Sequence, residues 1–176
     1  MPASTPRRLA HGAEVASSGT HFRCWAPAPR SLSVVLEGGG EHPLTPEPEG
    51  WFSGHVADAS HGDRYRLRLD GGDLLPDPAS RFQPDGPLGA SMLVDPARYR
   101  WRCDSWPAPL RPVVCEMHIG TFTPEGTYAA AADRLPLLAE VGITLLEVMP
   151  LAEFAGGFGW GYDGACLFAP SHLYGD

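Results

Sequence analysis

The stretch Arg64-Tyr65-Arg66-Leu67-Arg68-Leu69 alternates cationic and apolar side chains and is followed by the turn residues Asp70-Gly71-Gly72. Strict alternation with a period of two is typical of an antiparallel strand that is buried on one face only. The pattern therefore predicts that Tyr65, Leu67 and Leu69 point into a core and that the three arginines face water.

Three further short strands are predicted around this one, at residues 22–25, 31–37 and 51–56. Each is separated from the next by glycine, proline or other turn residues. Evenly spaced short strands with such turns between them indicate a β-sandwich. We expect the sandwich to span about residues 10–100, with Trp25 and Tyr65 buried.

The second half of the sequence has a different periodicity. Residues 113–119 and 143–149 are mostly apolar runs, as expected for strands that are covered on both faces. The alanine- and leucine-rich residues 127–141 between them predict a helix that Gly142 ends, with a kink or restart near Leu135 because Pro136 lies inside it. Strand, helix and strand make one βαβ unit, which implies parallel strands and a right-handed crossover.

The segment between these two regions, residues 76–112, carries eight prolines and no clear periodicity. It also contains large apolar residues, so we interpret it as an ordered linker. Residues 113–176 are far fewer than the roughly 250 residues of a (β/α)₈ barrel. We therefore expect a truncated barrel whose open strand edges and apolar faces favour aggregation.

The charge pattern argues against nucleic acid as a partner. All 13 basic residues are arginines, there are 21 acidic residues, and the net charge is −8, whereas a phosphate-backbone binder needs clustered cations. No stretch approaches the roughly 20 apolar residues that span a bilayer, and the first residues lack the apolar run of a signal peptide. We expect a cytoplasmic protein that does not bind a membrane.

The cysteines predict neither a metal site nor a disulfide framework. Cys24, Cys103, Cys115 and Cys166 form no CxxC pair and have no ligand-like spacing with the seven histidines. A single disulfide between two of them stays open. We expect no metal and no cofactor.

The loop at residues 153–164 is the most informative part of the sequence for function. It is rich in aromatics and glycines, and it lies at the carboxyl end of the second apolar strand, where ligands bind in barrels. Aromatic faces beside a carboxylate suit sugar rings, although such a loop can also simply pack over the barrel. His118, near the end of the first strand, is open to a structural or a binding role, whereas Glu116 and Glu147 are interpreted as structural.

Five segments together resemble the α-amylase superfamily (glycoside hydrolase family 13). The match runs across nearly the whole chain, and the sandwich opening alone would be weakly specific. The segments are Phe22-Arg-Cys-Trp-Ala-Pro27, Pro76-Asp-Pro-Ala-Ser-Arg-Phe-Gln-Pro84, Glu116-Met-His-Ile-Gly-Thr-Phe-Thr-Pro-Glu-Gly-Thr127, Gly142-Ile-Thr-Leu-Leu-Glu-Val-Met-Pro150 and Trp160-Gly-Tyr-Asp-Gly164.

The resemblance implies a mixed fold. It consists of an N-terminal antiparallel β-sandwich, immunoglobulin-like and of carbohydrate-binding-module type, followed by the first β-α-β unit of a truncated (β/α)₈ barrel. On this basis residues 1–100 form the sandwich, 101–112 a linker and 113–176 the incomplete start of the catalytic barrel.

The activity that the resemblance implies is hydrolysis of the α-1,4 bond next to the terminal trehalose unit of a maltooligosaccharide-type substrate. Such enzymes resemble retaining glycosidases, which use two carboxylates about 5 Å apart. Nothing in this sequence matches the motifs of those carboxylates, so we assign no catalytic residue and expect the chain alone to be inactive. Carried over by position, Tyr162 matches the aromatic at the sugar subsite of the cleaved bond, and Trp160, Asp163 and His118 are further substrate-binding candidates.

Three other hypotheses remain open. A branching or debranching enzyme of the same superfamily resembles the same regions. A stand-alone carbohydrate-binding module without catalysis would need only the sandwich and would leave the βαβ unit without a use. An interaction domain, whose sandwich packs against a partner protein, is the last. Oligomeric state and substrate chain length stay open.

Overall fold

The computed structural model describes residues 7–103, 105, 107 and 110–175. Its first nine strands lie before residue 93, with a short 3-10 turn at Pro48–Gly50 between the fifth and sixth strands and another at Pro96–Arg98 after the ninth. The strands are β1 (Gly12–Ala16), β2 (Gly19–Trp25), β3 (Leu32–Leu36), β4 (Glu41–Pro43), β5 (Thr45–Glu47), β6 (Trp51–Val56), β7 (Arg64–Leu69), β8 (Leu74–Leu75) and β9 (Ser91–Met92).

These strands form two antiparallel sheets that pack face to face. One sheet has the order β1-β2-β6-β5 and the other β4-β3-β7-β8, with β9 also paired to β7. Phe22 of the first sheet meets Tyr65 of the second edge to face, with 5.1 Å between their ring centroids. The predicted sandwich is therefore confirmed. Its buried core comprises Phe22, Leu32, Val34, Leu36, Leu44, Phe52, Val56, Ala59, Tyr65, Leu67 and Leu93.

The register predicted for β7 is also confirmed. Tyr65 and Leu67 are buried and Leu69 is partly buried, whereas the arginines between them reach polar partners at the surface. Arg64 pairs with Asp85 at 2.5 Å. A one-residue slip would have placed these guanidinium groups in the core, where a charge without a partner is costly.

The prediction that Trp25 is buried was wrong. Trp25 is the last residue of β2, and its side chain is 58% exposed. Side chains alternate along a strand, and in β2 the inward positions are occupied by Thr20 and Phe22, which are 0% and 2% exposed. Trp25 has the opposite parity, so it lies on the outer face of the sheet.

The proline-rich segment after β8 packs on the sandwich. Leu93 is 1% exposed in the core, and Gln83 is buried with its amide donating to nearby carbonyls. Leu88, by contrast, is 81% exposed. The proposed linker at 101–112 includes Asp104, Trp106, Ala108 and Pro109, which lie outside the described residues, so that boundary stays a prediction.

The second region contains the predicted strand–helix–strand unit. Its elements are β10 (Val114–Met117), α1 (Ile119–Phe122), α2 (Tyr128–Asp133), α3 (Leu135–Glu140) and β11 (Leu145–Val148). Strands β10 and β11 pair in parallel, with Glu116 opposite Glu147. The helical stretch breaks at Arg134, directly before the turn that holds Pro136, so the restart is confirmed.

Strand β10 is shorter than predicted. It ends at Met117, because the next residue, His118, is the N-cap of α1, and its carbonyl oxygen accepts from the N–H groups of Thr121 and Phe122. Two further strands, β12 (Ala152–Glu153) and β13 (Cys166–Pro170), pair antiparallel and lead to a 3-10 turn at His172–Tyr174. A small core of Met117, Ile119, Ala131, Phe154 and Tyr174 holds these elements together.

The expected open apolar surface is present on β10 and β11. Val114 is 49% exposed and Val148 is 39% exposed. The barrel itself stays a prediction, since the parallel pair β10-β11 is the only part of it that the described residues contain.

Membrane-spanning helices and metal clusters are both absent from the residues that the structure describes. In this part of the chain no helix has the length and apolar character needed to cross a bilayer. The same residues contain no group of three or more His, Cys, Asp or Glu side chains arranged to hold a metal ion. All four cysteines have free thiols.

Candidate functional site

A cavity of about 760 Å³ opens at the carboxyl ends of β10 and β11. Three segments form its wall: the turn after β10, the glycine-rich loop after β11, and the 3-10 turn near the end of the described chain. Because parallel strands direct their carboxyl ends to one edge, loops that are distant in sequence meet there. Its volume lies within the range typical of small-molecule sites.

His118 is part of the cavity wall and contacts residues from both of the other segments. Its Nε2–H donates to the carbonyl oxygen of Gly159 at 2.9 Å, and the same nitrogen lies 3.4 Å from the hydroxyl of Tyr174. The imidazole also meets the Tyr174 ring edge to face at 5.8 Å. A carbonyl can only accept, so this contact fixes which ring nitrogen carries the proton.

The fold places Trp160 and His118 on the wall of one cavity, and their substrate-binding roles stay predictions. The Trp160 indole lines the cavity and is 75% exposed, so its face is available to a ligand. The neighbouring Phe158 is 98% exposed on the same wall. Two open aromatic faces beside polar groups provide an arrangement that suits the apolar face of a sugar ring.

Tyr162 and Asp163 do not line this cavity, although both side chains are exposed. Gly161 separates Trp160 from Tyr162; its φ is +85°, and a Cβ there would come within 1.9 Å of the carbonyl oxygen of Pro150. This close approach requires a glycine at the position. Their predicted substrate roles stay predictions.

Tyr174 was missed by sequence reasoning and is the buried aromatic of the site. It is 5% exposed and packs edge to face on both His118 and Tyr128. Burial raises the pKa of Tyr174, and the negative charges of Asp163 and Glu153 raise it further. The hydroxyl therefore stays protonated at neutral pH and can donate a hydrogen bond.

Glu153 was assigned to a loop, yet its carboxylate is fully buried. Oε2 accepts from the backbone N–H of His172 at 2.8 Å and from its Nδ1–H at 2.7 Å, while Oε1 accepts from the N–H of Phe154 at 3.1 Å. These bonds tie the loop after β11 to the 3-10 turn that carries Tyr174. The pair thus positions two of the three segments of the cavity wall.

Two carboxylates reach the cavity surface, from Glu116 and Glu125. Glu116 was interpreted as structural, but its side chain is exposed and lines the cavity. Glu147 is exposed as well, so it has no need of a buried partner. The cavity therefore combines aromatic faces, a histidine and carboxylates.

Half of the chain, residues 10–97, matches a family profile described as Carbohydrate-binding module 48 (Isoamylase N-terminal domain). The chain belongs to the carbohydrate-binding module 48 family. The match covers the whole sandwich with the segment that packs on it, and it ends before the cavity region begins.

Similarity to known proteins continues beyond the module into the segments that form the cavity. A malto-oligosyltrehalose trehalohydrolase of Deinococcus radiodurans is 44% identical over 161 residues, which is 90% of this chain and 26% of that protein. The enzyme of the same name from Saccharolobus solfataricus is 36% identical over 95% of this chain and 30% of its own length. A 1,4-alpha-glucan branching enzyme of Xanthomonas oryzae is 34% identical over 89% of this chain. The chain spans between about a quarter and a third of these relatives.

Solved structures support the fold of the module and of the cavity region together. A protein from Salmonella typhimurium described as an alpha amylase superposes with a TM-score of 0.88 at 45% identity, over 94% of this chain and 29% of that one. A pullulanase from Anoxybacillus, solved with maltotetraose, has a TM-score of 0.77 at 21% identity over 94% of this chain and 30% of its own. The second likeness supports the fold alone.

Within the module, Tyr65 and Asp77 form a buried hydrogen-bonded pair that stabilises the sandwich. The Tyr65 hydroxyl donates to Oδ2 of Asp77 at 2.7 Å, and Oδ1 accepts from the backbone N–H of Ala79 at 2.8 Å. Burial raises the pKa of both Asp77 and Tyr65. Each polar atom is satisfied, so the pair fixes the proline-rich segment onto β7.

Proposed function

We propose that this chain forms the amino-terminal part of a glycoside hydrolase that cleaves the α-1,4 bond next to the terminal trehalose unit of maltooligosyltrehalose and releases trehalose. The observation that carries the proposal is the 44% identity to a trehalohydrolase over 90% of the chain. This similarity continues well beyond the module at residues 10–97, into the segments that form the cavity.

The chemistry of the cavity supports a saccharide as the ligand. Trp160 offers an open indole face, and the hydroxyl of Tyr174, the imidazole of His118 and the carboxylate of Glu116 provide hydrogen-bonding groups around it. A sugar presents one apolar C–H face and a rim of hydroxyls, so both kinds of contact are used. Tyr162 and Asp163, next to the cavity, would extend the contacts along the oligosaccharide.

The reaction needs two positioned carboxylates, one as nucleophile and one as acid/base. Neither Glu116 nor Glu125 is in a motif that identifies it as either, and we assign no catalytic residue in this chain. Under the proposal, residues 113–176 supply substrate contacts and the catalytic pair comes from other residues of a longer protein.

A branching enzyme is the second candidate, because a 1,4-alpha-glucan branching enzyme is 34% identical over 89% of the chain. The two activities differ in products. A trehalohydrolase releases trehalose from maltooligosyltrehalose, whereas a branching enzyme transfers glucan segments to form α-1,6 branches without releasing trehalose.

The test is to express the open reading frame that contains this chain, up to its stop codon, beside the 176-residue chain. Each protein is incubated with maltooligosyltrehalose and, separately, with amylose, and trehalose and branch points are quantified. We expect trehalose release from the full reading frame and none from the 176-residue chain. Branch formation without trehalose would replace the proposal by the second candidate, and inactivity on both substrates would overturn both.

A further inference from the structure

The segment that precedes β1 is tied to the sheet by the side chain of Arg7. Its guanidinium donates to three backbone carbonyl oxygens, those of Leu9 at 3.2 Å, Gly12 at 2.8 Å and His21 at 2.9 Å. Its Nε lies 3.3 Å from the Glu14 carboxylate, and only 16% of the Arg7 side chain is exposed. A guanidinium that is largely buried and bonded in several directions holds its segment in one position.

Residues 7–10, here named the amino-terminal strap, are attached to β1 and β2 by two further side chains. Oε1 of Glu14 accepts from the backbone N–H groups at positions 8 and 9, at 2.9 and 3.3 Å. Nη1 of Arg23 donates to the carbonyl oxygen at position 10, at 2.8 Å. The strap is therefore bonded through charged side chains rather than through a strand ladder, and its attachment depends on the charges of those side chains.

The contact between Arg7 and the imidazole of His21 requires that this imidazole is neutral. Nη1 of Arg7 lies 2.7 Å from Nδ1 of His21. A guanidinium has donors only, so Arg7 donates and Nδ1 accepts, which leaves the ring proton on Nε2. Protonation of the ring would put an N–H on Nδ1, where it would face another donor and a like charge. The closed strap and a charged His21 therefore exclude one another.

Both carboxylates beside His21 are already paired with arginines. The ionisable groups that face the imidazole from neighbouring elements are Arg7 of the strap, Glu14 directly opposite on β1, His55 directly opposite on β6 and Glu47 of β5. Glu47 pairs with Arg23 at 3.0 Å, and Glu14 pairs with Arg7. Burial lowers the pKa of His21, and the charges of Arg7 and His55 lower it further, whereas the two carboxylates raise it. A proton on His21 would have to compete with Arg7 for Glu14.

We propose that the amino-terminal strap is a pH-dependent switch, closed on β1 and β2 while His21 is neutral and released when Nδ1 of His21 takes up a proton. The proton displaces the Arg7 donor from Nδ1. The open state binds this proton more tightly than the closed state, so a falling pH shifts the population toward the open strap. The closed state is fully stabilised above the ordinary histidine pKa of about 6.5, and this stabilisation is lost as the pH falls through the lower pKa of His21 in the closed state. The switch lies within the module, so it does not depend on the proposed hydrolysis.

The test measures hydrogen exchange in the 176-residue chain by mass spectrometry between pH 7.5 and pH 5. Backbone amide exchange in the peptide that contains residues 7–11 reports opening of the strap, after correction for the exchange rate of an unstructured chain at each pH. Exchange of the imidazole C2 hydrogen reports the pKa of His21. Protection of the strap is expected to fall about tenfold when His21 is protonated, which corresponds to the loss of one hydrogen bond to a charged group. Because coupling is reciprocal, Arg7→Met should raise the His21 pKa by about 1 for each tenfold change in protection.

His21→Asn separates protonation of His21 from that of Glu14. The Asn Oδ1 can accept from Arg7 in the place of Nδ1, but it does not titrate, so the strap of this variant should stay closed at pH 5. His55→Asn is the matched control, because His55 is exposed and makes no side-chain hydrogen bond in the described part of the chain. Opening of the strap in acid should persist in this control.

Three outcomes would overturn the inference. The first is corrected exchange of the strap that does not change between pH 7.5 and pH 5. The second is the same opening in His21→Asn as in the unmodified chain, with equal far-UV circular dichroism spectra, which would assign the opening to another group. The third is an unchanged His21 pKa in Arg7→Met. None of these outcomes involves trehalose release, so the proposed hydrolysis is judged separately.

Discussion

Substitution of Glu153 by alanine tests whether the buried carboxylate holds the cavity wall in place. In the folded chain this side chain is fully buried and accepts three hydrogen bonds, two from His172 and one from Phe154. Alanine removes the acceptor and leaves the donors without a partner. The two backbone N–H groups have no other acceptor among the described residues. The substitution should therefore lower the local stability of both the loop and the 3-10 turn.

The expected loss of local stability in Glu153→Ala follows from the number of buried donors that are left without an acceptor. A buried donor that loses its partner costs about 1–3 kcal/mol, so two backbone N–H groups at about 1.5–2 kcal/mol each imply a local loss of about 3–4 kcal/mol, whereas the part-exposed His172 imidazole can bond to water. Since about 1.4 kcal/mol corresponds to a factor of ten, amide exchange in this segment is expected to accelerate roughly 100- to 1,000-fold. Glu153→Gln keeps an acceptor oxygen, and we expect it to lose about 1–2 kcal/mol.

Hydrogen–deuterium exchange with mass spectrometry measures this directly, on the peptides that contain residues 152–156 and 170–174. Glu140→Ala is the control, since Glu140 is exposed on α3 and makes no side-chain hydrogen bond in the described part of the chain. It should leave exchange in both peptides unchanged. Exchange in Glu153→Ala within threefold of the unmodified chain would refute the role of the Glu153–His172 pair.

Three further predictions concern thiol reactivity, pH dependence and the substrate loop. Burial raises the pKa of Cys24 to about 12, so iodoacetamide at pH 8 should label the exposed Cys103 and leave Cys24 unmodified in peptide mass spectra, and equal labelling would contradict the buried thiol. Burial raises the pKa of Asp77, so its protonated form favours the folded state and stability should fall as the pH rises above the unfolded pKa of about 4. Asp77→Asn should flatten this fall in urea-unfolding midpoints between pH 4 and 7, and parallel profiles would disprove it. In the full reading frame, Tyr162→Ala should lower kcat/KM roughly 10- to 100-fold and Tyr162→Phe should keep most of it, whereas an unchanged rate would assign the loop to packing.

The strands could be predicted from local sequence, because the alternation of apolar and polar residues along a strand reflects which of its side chains are buried. The alternation in Arg64–Leu69 specified both the strand and its inward face, and the structure agrees. The same rule, applied from Phe22, would have placed Trp25 outside. The alternation around Trp25 was taken to place Trp25 itself on the inward face, whereas Phe22, three positions earlier, occupies that face and Trp25 therefore has the outward parity.

The candidate site was only partly predictable, because its wall comes from residues far apart in the sequence. His118 was a candidate because it lies near the end of the first strand, and Trp160 because it lies in the aromatic-rich loop after the second strand; both line the cavity. The contact between His118 and Tyr174 spans 56 residues and leaves no local pattern. Glu153 was equally hidden, since a glutamate in a loop is usually solvated and only its pairing with His172 shows that it is buried.

The conformation of Gly161 connects the fold to the proposed substrate contacts. Its positive φ and its approach to Pro150 leave no room for a side chain at this position, and the loop places Trp160 in the cavity wall and Tyr162 outside it. A single sugar ring in the cavity can therefore contact Trp160 but not both aromatics. If Tyr162 also binds substrate, the oligosaccharide must extend past the cavity rim, so that two different rings of one chain occupy the two aromatic faces.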